Sequence, residues 1–372
     1  MEQQNPSTPT AEKPAKIPTP YSNFKLAEIF GQPLEKVDTI IENLPLHVRK
    51  IEIPKKDGSV RKVLAPDGTL KYIQKAIYWR IFRRYKPNKS VHGFIIKRGI
   101  VTNATQHVGA KSLGKIDIKS FFDTISEKHL KNCLFGNKDI CSYCKYYEFM
   151  LEEKCHPSLY YNKNKNYPHK CEEIKSVHIP DYCEKTGYQS LLTRVIKLCL
   201  YNGFTAQGFP TSPIIANIVL RGFDETIEEY CKENEITYTR YADDLCFSSL
   251  IHNKFQLRKL LQTKVYRLLW AYGFTPNKDK TNWKSHAGRL KVCGIVVNKK
   301  LSLPKRVVNN FRAAVFNATS KYKNAARTTK AEIRKMKGFA SYLMSVDKTK
   351  GQKYMGILKV FEEQKFGKVA AE

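Results

Sequence analysis

The run Tyr238-Thr239-Arg240-Tyr241-Ala242-Asp243-Asp244-Leu245-Cys246-Phe247-Ser248 sets two adjacent carboxylates among apolar, β-forming residues. That pattern predicts a β-hairpin whose tight turn holds both acids at one edge of a sheet. Like charges so close repel unless a cation lies between them. Mg²⁺ takes a few carboxylates together with substrate phosphate oxygens, which is the chemistry of nucleotidyl transfer. An isolated Asp-Asp pair is usually a solvated turn. Here, burial between Tyr241 and Phe247 would need a reason, and a bound cation supplies one.

A third carboxylate is expected from elsewhere. The stretch Lys115-Ile116-Asp117-Ile118-Lys119-Ser120-Phe121-Phe122-Asp123-Thr124-Ile125 reads as a strand running into a helix start. Asp117, between two isoleucines, is poorly placed for an unpaired charge, whereas Asp123 suits capping of the following helix. Asp117 precedes Asp243 by 126 residues (243 − 117), so neighbouring strands must bring them together. Two Mg²⁺ ions among Asp117, Asp243 and Asp244 would activate an attacking 3′-hydroxyl and neutralise a leaving pyrophosphate.

The 372 residues carry 65 Lys and Arg against 34 Asp and Glu, a net charge of +31. Such an excess implies a polyanionic partner, because each phosphate contact releases condensed counterions. The charge persists through the middle and the C-terminal third, so it is no detachable tail. Hydrophobic residues at 42% suffice for a real core. Aromatics at 12% fit base and sugar stacking, though most belong in the core. No segment approaches the roughly 20 apolar residues of a membrane span, and a signal peptide is not evident. With ten cysteines that do not resemble a disulfide scaffold, the expectation is a cytoplasmic protein with reduced thiols.

Residues 1–21 are rich in Pro, Thr, Gln and Lys, and read as a disordered tail. Residues 22–43 predict one or two short amphipathic helices broken at Gly31-Gln32-Pro33. Ile51 to Leu64 predicts a hairpin turning at Asp57-Gly58. Leu70 to about Tyr85 predicts a helix, with Ile73, Ile77 and Ile81 on its apolar face. Ile214 to Leu220 predicts a helix after a proline-rich entry, and after Asn298 the chain reads as basic helices. Asn103 and His107 would share a helical face. Cys133, Cys199, Cys231, Cys246 and Cys293 lie in apolar runs and read as core.

The blocks come in a telling order. Lys55 to Arg61 is followed by Val91-His92-Gly93-Phe94, Asn103-Ala104-Thr105-Gln106-His107 and the Asp117 strand. Then come Gln207 to Pro213, Tyr241 to Asp244, Gly273 to Thr281 and Val292 to Asn298. Across about residues 45–310 the chain resembles a reverse transcriptase, and more narrowly a bacterial retron reverse transcriptase. Cys293 departs from the Thr usual there. The resemblance implies an α+β right-hand polymerase. Fingers would occupy 22–114, a palm with an antiparallel sheet 115–290, and primer-grip strands with a basic helical thumb 291–372.

It also implies roles for single residues. Arg61 resembles an arginine that grips the incoming triphosphate. Phe122 resembles the bulky gate that collides with a ribose 2′-hydroxyl. Gln207 would offer its amide to the base pair or sugar edge, and Gly208 would let the backbone approach nucleotide or template. Lys280 resembles a lysine that neutralises or protonates the departing pyrophosphate. Asn103 and His107 would either contact RNA or brace the palm. The implied substrates are dNTPs and a cognate non-coding RNA, with its DNA product and a separate effector protein in anti-phage defence. Priming from an RNA 2′-hydroxyl would give a branched RNA–DNA hybrid. Another bacterial reverse transcriptase, or a catalytically silent RNA-binding subunit, are the other readings.

Residues 139–185 do not fit a compact palm. Cys141, Cys144, Cys155 and Cys171, with His156, His169 and Cys183 as alternates, lie in polar, Tyr- and Asn/Lys-rich sequence. A Cys-x2-Cys pair is half of a zinc knuckle, so one structural Zn²⁺ is a candidate there.

Overall fold

The computed structural model describes residues 23–54, 58, 60–85, 87–135, 188–320 and 327–367. Its centre is a four-stranded antiparallel sheet in the order β4-β5-β3-β6, formed by Thr237–Tyr241, Asp244–Ser249, Ser112–Ile118 and Pro276–Ser285. β3 runs through the middle and is nearly buried along its length, although Ser112, Lys115 and Asp117 interrupt its apolar residues. Gly114 has a specific task. A Cβ there would lie 2.2 Å from the Trp283 ring, which covers the strand at that point.

Helices back the sheet. Arg221–Glu233 and Lys254–Ala271 pack through Phe223, Ile227, Leu257, Leu261, Val265 and Leu269, all fully buried. Asn253 caps the second of these by accepting from the backbone N–H groups of Phe255 and Gln256.

Before the sheet come helices Asn23–Phe30 and Leu34–Glu42, where one or two were expected. The hairpin β1 (Val48–Pro54) and β2 (Val60–Pro66) follows, in register from Val48↔Pro66 to Pro54↔Val60. Gly58 sits in the connection at φ +81. The next helix spans Gly68–Arg80, starting two residues before the expected Leu70 and ending at the Ile81 cap, short of the expected Tyr85. Asp67 caps it by accepting from Leu70 N–H at 2.8 Å. Asp123 does not cap the helix after it. It is exposed within the short helix Phe121–Thr124, and the next helix begins at Glu127.

After the sheet, the small ribbon β7 (Lys291–Val292) and β8 (Ile295–Val296) leads into helices Lys305–Thr319, Lys330–Val346 and Lys348–Phe366. These build a second core around Phe311, Val315, Ala340, Leu343 and Leu358. The last two helices approach so closely that a Cβ at Gly351 would lie 2.2 Å from Met344 Cα. Of the cysteines read as core, Cys199, Cys231 and Cys246 are buried and Cys293 is partly so. The Cys133 side chain, and the candidate zinc ligands Cys141, Cys144, Cys155 and Cys171, lie outside what is described. Among the described residues no helix is long and apolar enough to cross a membrane.

Candidate active site

β4 and β5 form the expected hairpin, with Tyr241 paired to Asp244 and only Ala242 and Asp243 in the turn. Ala242 takes φ +56, a conformation that strains a residue with a Cβ. Two interactions hold it there. The Arg240 guanidinium donates to Ala242 O at 3.2 Å, and the Gly93 backbone packs so tightly that a Cβ on it would sit 2.6 Å from Ala242 N.

Arg240 is itself fixed. It donates to both Asp224 oxygens, at 2.8 and 2.6 Å, with both side chains fully buried. It also donates to Asn217 Oδ1 at 3.1 Å, while Asn217 Nδ2 donates to Gly93 O. Tyr238 OH donates to Asp224 at 2.7 Å. Burial works against the Arg240 charge, but Asp224 more than offsets it and holds the guanidinium pKa above its ordinary value. Sequence reading missed this scaffold because a lone Arg in a strand and a lone Asp in a helix carry no spacing signal. Apolar neighbours around Arg240 were the one available hint.

Asp117 stands in register with Asp244 on the neighbouring strand, and with Asn277 on the other side. Asp243 O accepts from Ile118 N–H at 3.1 Å, tying the turn to the end of β3. The three acidic residues are therefore carried at one end of the sheet. Burial raises the Asp243 carboxyl above the usual range; its backbone hydrogen bond opposes this, and the Asp117 and Asp244 charges push it further.

Lys280 supplies counter-charge, with Nζ 3.1 Å from Asp117 Oδ1 and 3.3 Å from Oδ2. Asn277 Nδ2 also donates to Asp117, at 3.1 Å. Lys280 is not a loop residue. It lies in a bulge of β6, where Lys115 pairs with Asn282 and Asp117 already with Asn277. Hydrogen bonding to Asp117 raises the Lys280 pKa.

Among the described residues no three acidic, His or Cys side chains are drawn together into a ready metal cluster. The donors nonetheless fit a hard divalent ion, since they are carboxylate oxygens close enough to perturb Asp243, beside a lysine already drawn to the negative charge. Asp117, Asp243 and Asp244 are the residues that would hold it.

Around the carboxylates, Phe122 is half-buried with its ring 5.3 Å from Phe121 and 6.3 Å from Phe94. Phe94, not anticipated, is 46% exposed and also lies 6.4 Å from the Tyr241 ring. Gln207 O accepts from Leu64 N–H at 2.7 Å, joining its loop to β2, the strand that carries exposed Arg61. At Gly208 the backbone approaches β2 closely. This residue takes φ +120, and a Cβ there would lie 2.4 Å from Leu64 O.

Asn103 and His107 do not reach the surface. His107 is 1% exposed, with Nδ1 2.7 Å from Ser248 Oγ and Nε2 2.7 Å from Thr239 Oγ1, so it ties β5 to β4. Burial, reinforced by His92 and Lys115, lowers its pKa to about 3. Asn103 Nδ2 donates to Cys293 Sγ at 3.2 Å, so this departure from the usual Thr keeps an acceptor in place.

A family model described as reverse transcriptase (RNA-dependent DNA polymerase) matches residues 169–358, more than half of the chain. The chain belongs to this family. Within it, the likeness is to bacterial retron enzymes. The retron Mx162 reverse transcriptase of Myxococcus xanthus is 29% identical over 325 residues, covering 83% of this chain and 60% of that protein. The retron Mx65 reverse transcriptase of the same organism is 27% identical, covering 72% of this chain and 55% of that protein. The retron Ec83 reverse transcriptase of Escherichia coli is 27% identical, covering 83% and 86%. The chain thus spans little more than half the length of the two Myxococcus relatives.

Proposed function

We propose that this chain is an RNA-directed DNA polymerase that copies a cognate structured non-coding RNA. The observation that carries this reading is the register of Asp117 with Asp244 across β3 and β5, with Asp243 in the turn beside them. Three carboxylates at one sheet end are what a two-ion phosphoryl-transfer site requires. Mg²⁺, when bound, would lower the pKa of a 3′-hydroxyl and neutralise charge on the transferred phosphate.

The chain's own groups divide the remaining work. Lys280, paired with Asp117 at the sheet end, would neutralise charge on the departing pyrophosphate. Arg61, exposed on β2 and held near the Gln207 loop through Leu64, meets the triphosphate. Gln207 faces the sugar or base edge, and Phe122 excludes a 2′-hydroxyl. His107 braces the hairpin from inside and Asn103 ties its helix to Cys293, so neither acts as an RNA contact.

The retron likeness supports further steps: priming from a 2′-hydroxyl of the same RNA, a branched RNA–DNA product, and a defence role beside a separate effector. Purified protein given a primed RNA template, dNTPs and Mg²⁺ should extend the primer, and nucleic acid co-purifying from cells should contain a 2′,5′-branched hybrid. Absence of extension would refute the polymerase reading. Extension with only linear DNA from cells would refute the priming step alone.

A further inference from the structure

On the helix-backed side of the sheet, away from Asp117, helix Lys254–Ala271 and the edge strand β6 enclose an open groove of about 610 Å³. Its chemistry is of two kinds. Lys254, Arg258 and Lys278 supply positive charge, and no acidic residue lines it. Phe255, Tyr266, Trp270 and Trp283 supply ring surface.

The rings are unusually open for their size. Phe255 is 71% exposed and Trp270 53%. Tyr266 is buried beneath them, its ring 6.1 Å from Trp270 and its hydroxyl 3.2 Å from Thr281 Oγ1. The Trp283 indole nitrogen is buried without a hydrogen-bond partner among the described residues. The β6 bulge sends two lysines different ways, Lys280 to Asp117 and Lys278 to the groove.

We propose that this groove binds an unpaired stretch of RNA, with bases on Phe255 and Trp270 and phosphates on Lys254, Arg258 and Lys278. Exposed rings interleaved with cations are how proteins hold single strands, since every base offers a π-face once it leaves a duplex. A duplex would satisfy the cations but leave the rings idle. An α-helical rise of 1.5 Å makes the Lys254–Trp270 edge about 24 Å long, room for several nucleotides. The strand held there is not the one being copied, because the groove and the carboxylates lie on opposite faces. The choice of RNA over DNA rests on the proposed function, in which RNA is the partner bound before any DNA exists. The groove would then grip a flanking part of the same RNA and anchor it during copying.

The chain has three tryptophans, and two of them, Trp270 and Trp283, line the groove. In a Trp79→Phe background, fluorescence excited selectively at tryptophan therefore reports on this site. Titration with oligouridylate of about twelve nucleotides should quench it, and adding Phe255→Ala with Arg258→Ala should weaken the apparent affinity at least about tenfold. Extension of a short preformed primer–template by the same variants should be unchanged.

No quenching in the Trp79→Phe protein, or undiminished affinity after the groove substitutions, would overturn the proposal. An RNA duplex of the same length binding as tightly would also overturn it, as would equal quenching by polyglutamate, which would make the groove a protein-docking surface. Loss of extension in wild-type protein with quenching intact would instead strike the polymerase reading and leave the groove standing.

Discussion

Arg240 reaches two residues ahead to hold Ala242 O at 3.2 Å, while its other nitrogens grip the buried carboxylate of Asp224. A charged pair beneath the hairpin thus sets the turn that presents Asp243. Breaking such a pair by removing one partner leaves an uncompensated buried charge.

Asp224→Asn should therefore destabilise the protein by about 3–5 kcal/mol, and primer extension should fall with it. Asp224→Asn/Arg240→Met, which removes both charges, should recover part of the stability but not the activity, because nothing then holds Ala242 O. Urea denaturation and extension assays on both variants check this. Equal stability of the single and double variants would show that the unpaired charge is not what costs.

Asp117→Asn and Asp243→Asn each remove a carboxylate from the sheet end. Extension should drop by roughly three orders of magnitude, the equivalent of several kcal/mol of lost charge stabilisation. RNA affinity should stay within about twofold, since it rests on distributed basic contacts. Undiminished extension by either purified variant would end the catalytic assignment.

Phe122, five residues beyond Asp117 in the chain, has Phe94 and Phe121 against its ring. Phe122→Ala should raise ribonucleotide incorporation relative to deoxynucleotide by at least about tenfold, because the space a 2′-hydroxyl needs is opened. Single-nucleotide incorporation assays measure the ratio. An unchanged preference would return Phe122 to a packing role.

His107 gives a pH dependence. Its pKa falls from 6.5 to about 3 on folding, so the folded protein binds fewer protons than the unfolded chain between those values. The neutral-ring contribution is fully present above about pH 6.5 and is lost as pH falls toward 3, at roughly 1.4 kcal/mol per pH unit. His107→Gln should be less stable at pH 7 and flatter between pH 6.5 and 4.5, as read by urea midpoints. His92, lowered to about 4 by burial and Arg98, titrates in both proteins.

The hairpin at Asp243 and Asp244, the Asp117 strand, the helix after Gln207-Gly208 and the basic helical C-terminus were all legible in the sequence. Each rests on a local rule, whether alternation, spacing or turn chemistry, that survives folding unchanged. What joins them was not. The register of Asp117 with Asp244, the bulge that swings Lys280 onto Asp117, and the Arg240–Asp224–Asn217 network depend on residues 16 to 163 positions apart. Gly208 and His107 show the same limit, because the sequence marks them as special without saying what they face. Gly208 clears Leu64 O and His107 bridges two hydroxyls inside the sheet. Only the packed structure could decide this, because a glycine's clearance and a histidine's proton state are set by neighbours brought from distant parts of the chain.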